Sequence, residues 1–145
     1  MSFDPPMVIS GQMAVPAANQ TVPLLDTTYW GDAAPWTTTA TTPGPGRSRA
    51  QLFGGRLSGA ITPVGQSVTI TFEALFNPAA TDNTGYSTDV NAPDAGAKTI
   101  AAGSTYTFDY LPRFADWRIT VTAGAVPPTA IYSQISMIWD RNAGV

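Results

Sequence analysis

The chain has 145 residues, the length of one ordinary domain. Charged residues make up 12% of it, about half of what a typical soluble domain carries, and the net charge is -3. It contains neither cysteine nor histidine, so it lacks the thiolate nucleophile, the common general base and the usual transition-metal ligands. We therefore expect a protein that is not an enzyme and uses no cofactor.

The few charges also bear on partners. Lys98 and Glu73 are the single lysine and glutamate of the chain, so uncharged polar residues must cover the surface. Such a surface can be buried against other subunits without stranding ions, which suits an assembly component. The sequence pI of about 4.5 argues against nucleic-acid binding, because the sole basic cluster, Arg47, Arg49 and Arg56, is sparse.

The N-terminal part predicts an extended arm over residues 1–20, followed by a single domain over residues 21–145. Pro5, Pro6 and Pro16 favour extended chain in the arm, with a short strand at residues 7–10. Residues 1–15 lack the pattern of a secretory signal, and no apolar run is long enough to span a bilayer. A weak strand is expected at residues 21–26, and residues 27–49 are expected to form a long surface loop.

The middle of the chain predicts two strands and a second loop. Residues 51–61 are read as a strand interrupted at Gly54 and Gly55, with a turn at residues 63–65. Residues 67–76 alternate cleanly, with one apolar face formed by Val68, Ile70, Phe72, Ala74 and Phe76. Residues 77–97 are expected to be a long loop.

Three further runs alternate with period two. The faces they predict are Tyr106, Phe108 and Tyr110, then Trp117, Ile119 and Val121, and last Ile131, Ser133, Ile135, Met137 and Trp139. The expected core is Phe72, Phe108, Trp117, Ile119, Ile135 and Trp139. Regular strands between Gly/Pro turns favour an all-β fold, an antiparallel β-sandwich that is either jelly-roll or immunoglobulin-like.

Acidic residues raise two possibilities for chemistry. Asp82, Asn83, Asp89, Asn91 and Asp94 could offer oxygen ligands to calcium, but Asp and Asn are also common in turns, and the turn interpretation is favoured. A glycosidase needs two carboxylates across a cleft.

For that carboxylate pair, Asp109, Asp116 and Asp140 show no spacing that singles out two of them. We expect Asp116 to form an ion pair with Arg118, its next-but-one neighbour. No catalytic or metal site is predicted.

Aromatic residues in the first long loop are the best binding candidates. Tyr29, Trp30 and Trp36 could stack on sugar rings, anchor a protein interface, or cap one end of the sandwich. The candidate interface residues predicted from the sequence are Tyr29, Trp30, Trp36, Arg47, Arg49, Met7 and Ile9.

The C-terminal half and the N-terminal segment of the sequence resemble small structural proteins of tailed bacteriophages. The likeness is carried by GSTYTFDY at residues 103–110, WRITVT at 117–122, IWDR at 138–141, and the opening MVISGQ at 7–12 that leads into TVPL at 21–24. The resemblance implies a β-sandwich or jelly roll in the virion, most often a decoration (cement) protein of the head. Its partners would be the major capsid protein and copies of itself, often as a trimer.

Two alternatives are kept: a neck or tail component of the virion, and a carbohydrate-binding module that uses the loop aromatics on a glycan. Neither nucleic acid nor a membrane is expected as a partner.

Overall fold

The computed structural model describes residues 7–13, 15–26, 55–77, 85–113 and 117–139. Within these ranges the chain forms nine strands and one short 3-10 turn, Pro93–Gly96. The strands are β1 Met7–Gln12, β2 Thr21–Asp26, β3 Gly55–Val64, β4 Val68–Leu75, β5 Tyr86–Thr88, β6 Ala97–Ile100, β7 Tyr106–Tyr110, β8 Trp117–Ala123 and β9 Ala130–Trp139.

The strands form two antiparallel sheets, as the sequence predicts. The first sheet has the order β1-β9-β3-β7. In the second, β2-β8-β4 is followed by β5 and β6, which pair one after the other with the same edge of β4. If β5 and β6 are counted as one broken strand, each sheet has four strands, and every connection crosses between the sheets except the one from β4 to β5. This is the strand order of a jelly roll, so the immunoglobulin-like alternative does not apply.

The core fills the space between the sheets, and its members were largely foreseen. Phe72, Phe108, Trp117, Ile119 and Ile135 are all buried, as expected, and the side chain of Trp139 lies outside the described residues. Phe72 meets the Phe108 ring edge-on, with centroids 5.2 Å apart, and meets Tyr110 at 4.9 Å. These aromatic contacts join the second sheet to the first and hold the sandwich together.

β4 follows its predicted alternation except at its end. Its residues from Val68 to Leu75 alternate strictly between buried and half-buried. Phe76 was predicted on the buried face, but it lies beyond the strand and is 47% exposed. Alternation fixes a side only while the backbone stays extended and paired, and β4 pairs with β5 only as far as Leu75.

Two other expectations are corrected. Residues 77–97 were predicted to be loop throughout, but they contain β5 and the start of β6. The turn expected at residues 63–65 begins later, because Pro63 belongs to β3 and is buried. The Pro63 carbonyl accepts a 2.7 Å hydrogen bond from the Gly103 N–H, so its ring nitrogen faces the side on which β7 has not yet begun. A proline is tolerated there because no ladder bond is lost.

The connections fall into two groups at opposite ends of the sandwich. Residues 13–20, 65–67, 101–105 and 124–129 link strands at one end, which we call the turn end. At the other end β2 stops at Asp26, β3 starts at Gly55, β4 stops at Leu75 and β8 starts at Trp117. No helix within the described ranges is long and apolar enough to cross a membrane.

Candidate interaction surface

Four charged side chains of the described residues form two ion pairs. Arg118 donates to Glu73 across β8 and β4 at 2.9 Å, with the two side chains 19% and 15% exposed. Its guanidinium also lies 4.1 Å from the centre of the Tyr86 ring. Arg56 and Asp109 form a looser, exposed pair at 3.6 Å. Both pairs join neighbouring strands, β4 to β8 and β3 to β7.

The aspartates of the β5–β6 connection are also engaged. Asp89 is buried, accepts from the Asn91 N–H at 3.0 Å, and accepts from the Tyr110 hydroxyl at 3.1 Å. Asp94 accepts from the Tyr106 hydroxyl. No group of three or more acidic residues that could hold a metal ion occurs in the described part of the chain. Asp89 and Asp94 therefore fasten the connection to β7, while Asp82 and Asn83 lie outside the described residues.

Burial and the hydrogen bonds to Asp89 and Asp94 change the acidity of the Tyr110 and Tyr106 hydroxyls. Burial, and then the neighbouring Asp89 carboxylate, raise the pKa of the Tyr110 hydroxyl well above its ordinary value. For Tyr106, burial and the hydrogen bond to Asp94 raise the pKa in the same direction. Both hydroxyls thus keep their protons as donors, since the charged form would face a carboxylate in a poorly solvated place.

The turn end carries no charged residue. Its four connections consist of Ala, Gly, Pro, Val, Met and uncharged polar residues. Ala17, Ala18, Ala101, Ala102 and Ala125 are exposed there, and Val126 is 60% exposed. Among the described charged residues on strands, the one nearest to this end is Lys98 of β6, which pairs with Ile70 of β4. This surface is formed by small, uncharged residues, so covering it with another protein would desolvate no ion.

The outer face of the second sheet extends this neutrality with a row of threonines. Thr21, Thr122, Thr69 and Thr99 lie side by side on four neighbouring strands. The Thr21 and Thr122 hydroxyls are 2.7 Å apart, and those of Thr69 and Thr99 are 3.1 Å apart. In the next row Thr71 faces Thr120. The row nearest the turn end is therefore uncharged, and the Glu73–Arg118 ion pair lies farther along the same face, where Thr120 donates to Glu73.

A shallow depression of about 350 Å³ lies on the first sheet. It is lined by Ser58, Gly59, Thr107, Phe108 and Asp109. Within it the Ser58 hydroxyl donates to Asp109, which also faces Arg56. These contacts tie the Asp109 carboxylate of β7 to Ser58 and Arg56 of β3.

Most of the candidate residues predicted from the sequence fall outside the described residues. Tyr29, Trp30, Trp36, Arg47 and Arg49 fall outside the described residues, as do Asp116 and Asp140. Their proposed roles, including the Asp116–Arg118 ion pair, stay predictions, although Arg118 itself is seen to pair with Glu73.

Met7 and Ile9 lie in β1, opposite Met137 and Ile135 of β9. The neutral turn end was not singled out in advance, although the lack of charge in its four segments is readable from the sequence once the topology joins them.

Comparisons with known proteins bear on the fold. No family model and no curated protein matches the sequence. Among solved structures, the exported protein XepA of PBSX matches with a TM-score of 0.50 at 10% identity, covering 91% of this chain but 36% of XepA.

Two other matches have lower TM-scores. A protein of the Bacillus endospore appendages, described as disulfide-linked pili, gives 0.47 at 14% identity over 94% of this chain and 85% of that one. PirA gives 0.38 at 14% identity over 91% and 83%. At these identities the likeness to XepA supports the fold alone.

Proposed function

We propose that this protein is a non-enzymatic structural component of an extracellular or virion assembly, and that it acts by packing against protein. The observation that carries the proposal is the neutral turn end, which adjoins a threonine-covered sheet face. A monomer normally keeps charge on every side for solubility. A surface without charge is instead what a subunit needs where it is covered permanently.

Within that class, head decoration of a tailed bacteriophage is the specific role we favour, with the neck or tail as the close variant. Support comes from the sequence resemblance and from the jelly-roll order, an architecture used by viral capsid domains. Jelly rolls also serve as lectins, so this support is an analogy of fold. A decoration protein stabilises a particle because it binds the assembled lattice but not the free subunit.

The proposed partners are the major capsid protein and other copies of this chain. Tyr29, Trp30, Trp36, Arg47 and Arg49 stay proposed contacts from the sequence, and the turn end is added to them as the neutral contact. A glycan on the loop aromatics is the competing proposal.

Copy number in purified particles tests the proposal. Particles from the source are digested, and quantitative mass spectrometry counts this chain against the major capsid protein. Copies in a fixed ratio to the capsid protein would support head decoration, and a small fixed number per particle would indicate the neck or tail. Absence of the chain from all particles, together with retention on an immobilised glycan that is lost on Trp30→Ala and Trp36→Ala substitution, would overturn it.

A further inference from the structure

The open edge of β1 differs from the other sheet edges of the described chain. Proteins normally protect exposed edges with proline, charge, bulges or very short strands. β2 contains Pro23 and a register shift between Pro23 and Leu25. The opposite edge of that sheet is broken between β5 and β6 and carries Lys98. β7 carries Asp109, which is held by Arg56.

β1 has none of these protections. Its six residues, MVISGQ, contain no proline and no charge, and they pair with β9 without a register shift. In the sheet order β1 is terminal, so no described strand lies on its other side. By the usual rule such an edge is a template for another strand.

The hydrogen-bond pattern shows which groups face outward. The Met13 N–H donates to the Ile131 carbonyl at 2.9 Å, in line with the register of the strand pair. Antiparallel pairs alternate between bonded and non-bonded positions, so Gly11, Ile9 and Met7 also bond toward β9. The N–H and C=O groups of Val8, Ser10 and Gln12 therefore point away from β9 to the open edge.

We infer that β1 pairs antiparallel with β1 of a second copy about a two-fold axis. A register centred on Ser10 places Val8 opposite Gln12 of the second copy, and it uses all three outward-facing residues. Registers shifted by one residue to either side use two of them. The result is a continuous eight-stranded sheet across the dimer, built from two copies of the four-stranded sheet.

A second copy fits this edge because a two-fold axis at Ser10 places that residue opposite its own counterpart and brings the rest of the two identical strands side by side. Any charge in β1 would then approach an identical charge, which destabilises a strand pair. β1 carries no charge. The neighbouring edge of the second sheet is β2, and its proline and register shift disfavour strand pairing there, so pairing is confined to the first sheet. The inference deepens the proposed structural role and rests on it for its biological meaning.

The test uses the full purified chain and two substitutions at one position. Ser10→Pro removes an outward N–H while leaving the bonds to β9, whereas Ser10→Ala keeps the N–H and is the matched control. In sedimentation equilibrium we expect the wild type and Ser10→Ala to dimerise with the same dissociation constant, and Ser10→Pro to be monomeric while its circular dichroism spectrum shows that it is folded. A wild type that is monomeric at every concentration overturns the inference, as does a folded Ser10→Pro dimer or a trimer insensitive to this substitution.

Cross-linking keeps the inference testable if Ser10→Pro fails to fold. The chain has no cysteine of its own, so a single Ser10→Cys can link only to a second copy. Under mild oxidation we expect it to form a covalent dimer much faster than Val90→Cys, an exposed control in the β5–β6 connection. Equal rates would overturn the pairing. Either failure leaves the particle count unaffected, so the inference and the proposed function can fail separately.

Discussion

Gly59 shows how a single missing side chain fixes the packing between the sheets. It lies opposite Phe108 in the β3–β7 pair, and a Cβ atom at this position would run into the Phe108 ring. That ring is held from the other side by Phe72. The position therefore needs glycine for its lack of volume.

Gly59→Ala should lower the free energy of unfolding by about 1–3 kcal/mol, the usual cost of overpacking a well-filled core. Gly124→Ala is the matched control, because a Cβ there meets nothing within 4 Å, and it should stay within about 0.5 kcal/mol of wild type. Urea denaturation of the two variants gives both values. Equal stability of the two variants would show that Phe108 can move aside without cost.

Ser133 is a second residue whose environment makes a clear prediction. It is buried on β9 and its hydroxyl has no hydrogen-bond partner, a condition shared within the described residues by the Trp117 indole nitrogen. A buried hydroxyl without a partner costs roughly 1–3 kcal/mol.

Ser133→Ala should thus leave stability unchanged or raise it by about 1 kcal/mol. Thr120→Val is the contrasting substitution, since the buried Thr120 hydroxyl donates to Glu73 and its loss should destabilise the fold. Thermal and urea unfolding compare them. A marked loss of stability in Ser133→Ala would mean that the hydroxyl is bonded, for example to a buried water.

At the scale of elements, the β5–β6 connection depends on two tyrosines of β7. Three consecutive residues, Asp94, Ala95 and Gly96, have positive φ angles of 54°, 56° and 93°. Such a left-handed turn is unfavourable for Asp94 and Ala95. The hydrogen bonds from Tyr106 to Asp94 and from Tyr110 to Asp89 offset this strain by tying the connection to the sandwich.

This attachment predicts a loss of stability in alkali. The pKa of Tyr110 is raised on folding, so its contribution is complete below the unfolded-state value of about 10 and declines as pH rises above it. Tyr110→Phe should lower stability at neutral pH and flatten the decline above about pH 10. Tyr132→Phe, at a half-exposed tyrosine, is the control and should follow the wild-type curve. Equal alkaline slopes for wild type and Tyr110→Phe would contradict this role.

Strand prediction from the sequence succeeded where a strand is long and one face is buried. β4, β7 and β8 show their buried faces directly in the alternation, because each packs one side against the core. β5 has three residues between Gly85 and Asp89 and owes its conformation to pairing with β4, so no local pattern marks it.

Contacts between distant parts of the chain could not be read in advance. The sheet register brings Arg118 to Glu73, 45 positions away, and no local pattern indicates that contact. The turn end was missed for the same reason. Its four segments are each unremarkable, and only the alternation of strands between two sheets gathers them at one end.

At the scale of the whole molecule, most charged residues on the described strands lie away from the turn end, and Lys98 is the nearest to it. Asp26, Arg56, Glu73, Asp109 and Arg118 all lie toward the end opposite the turns. Contacts made through the neutral end would gain little from electrostatic attraction, so we expect assembly through it to vary little with salt concentration.

The most direct measurement of the central claim places a charge on the turn end and asks whether the chain still enters particles. Ala102→Glu adds a charge to an exposed turn-end residue, and Leu111→Glu adds the same charge to a residue 56% exposed at the other end. Particles assembled with each variant are purified, and its copies are counted by mass spectrometry. We expect both variants to fold, Leu111→Glu to be incorporated like wild type, and Ala102→Glu to be excluded. Incorporation of Ala102→Glu at the wild-type level would show that the neutral end is not a buried contact.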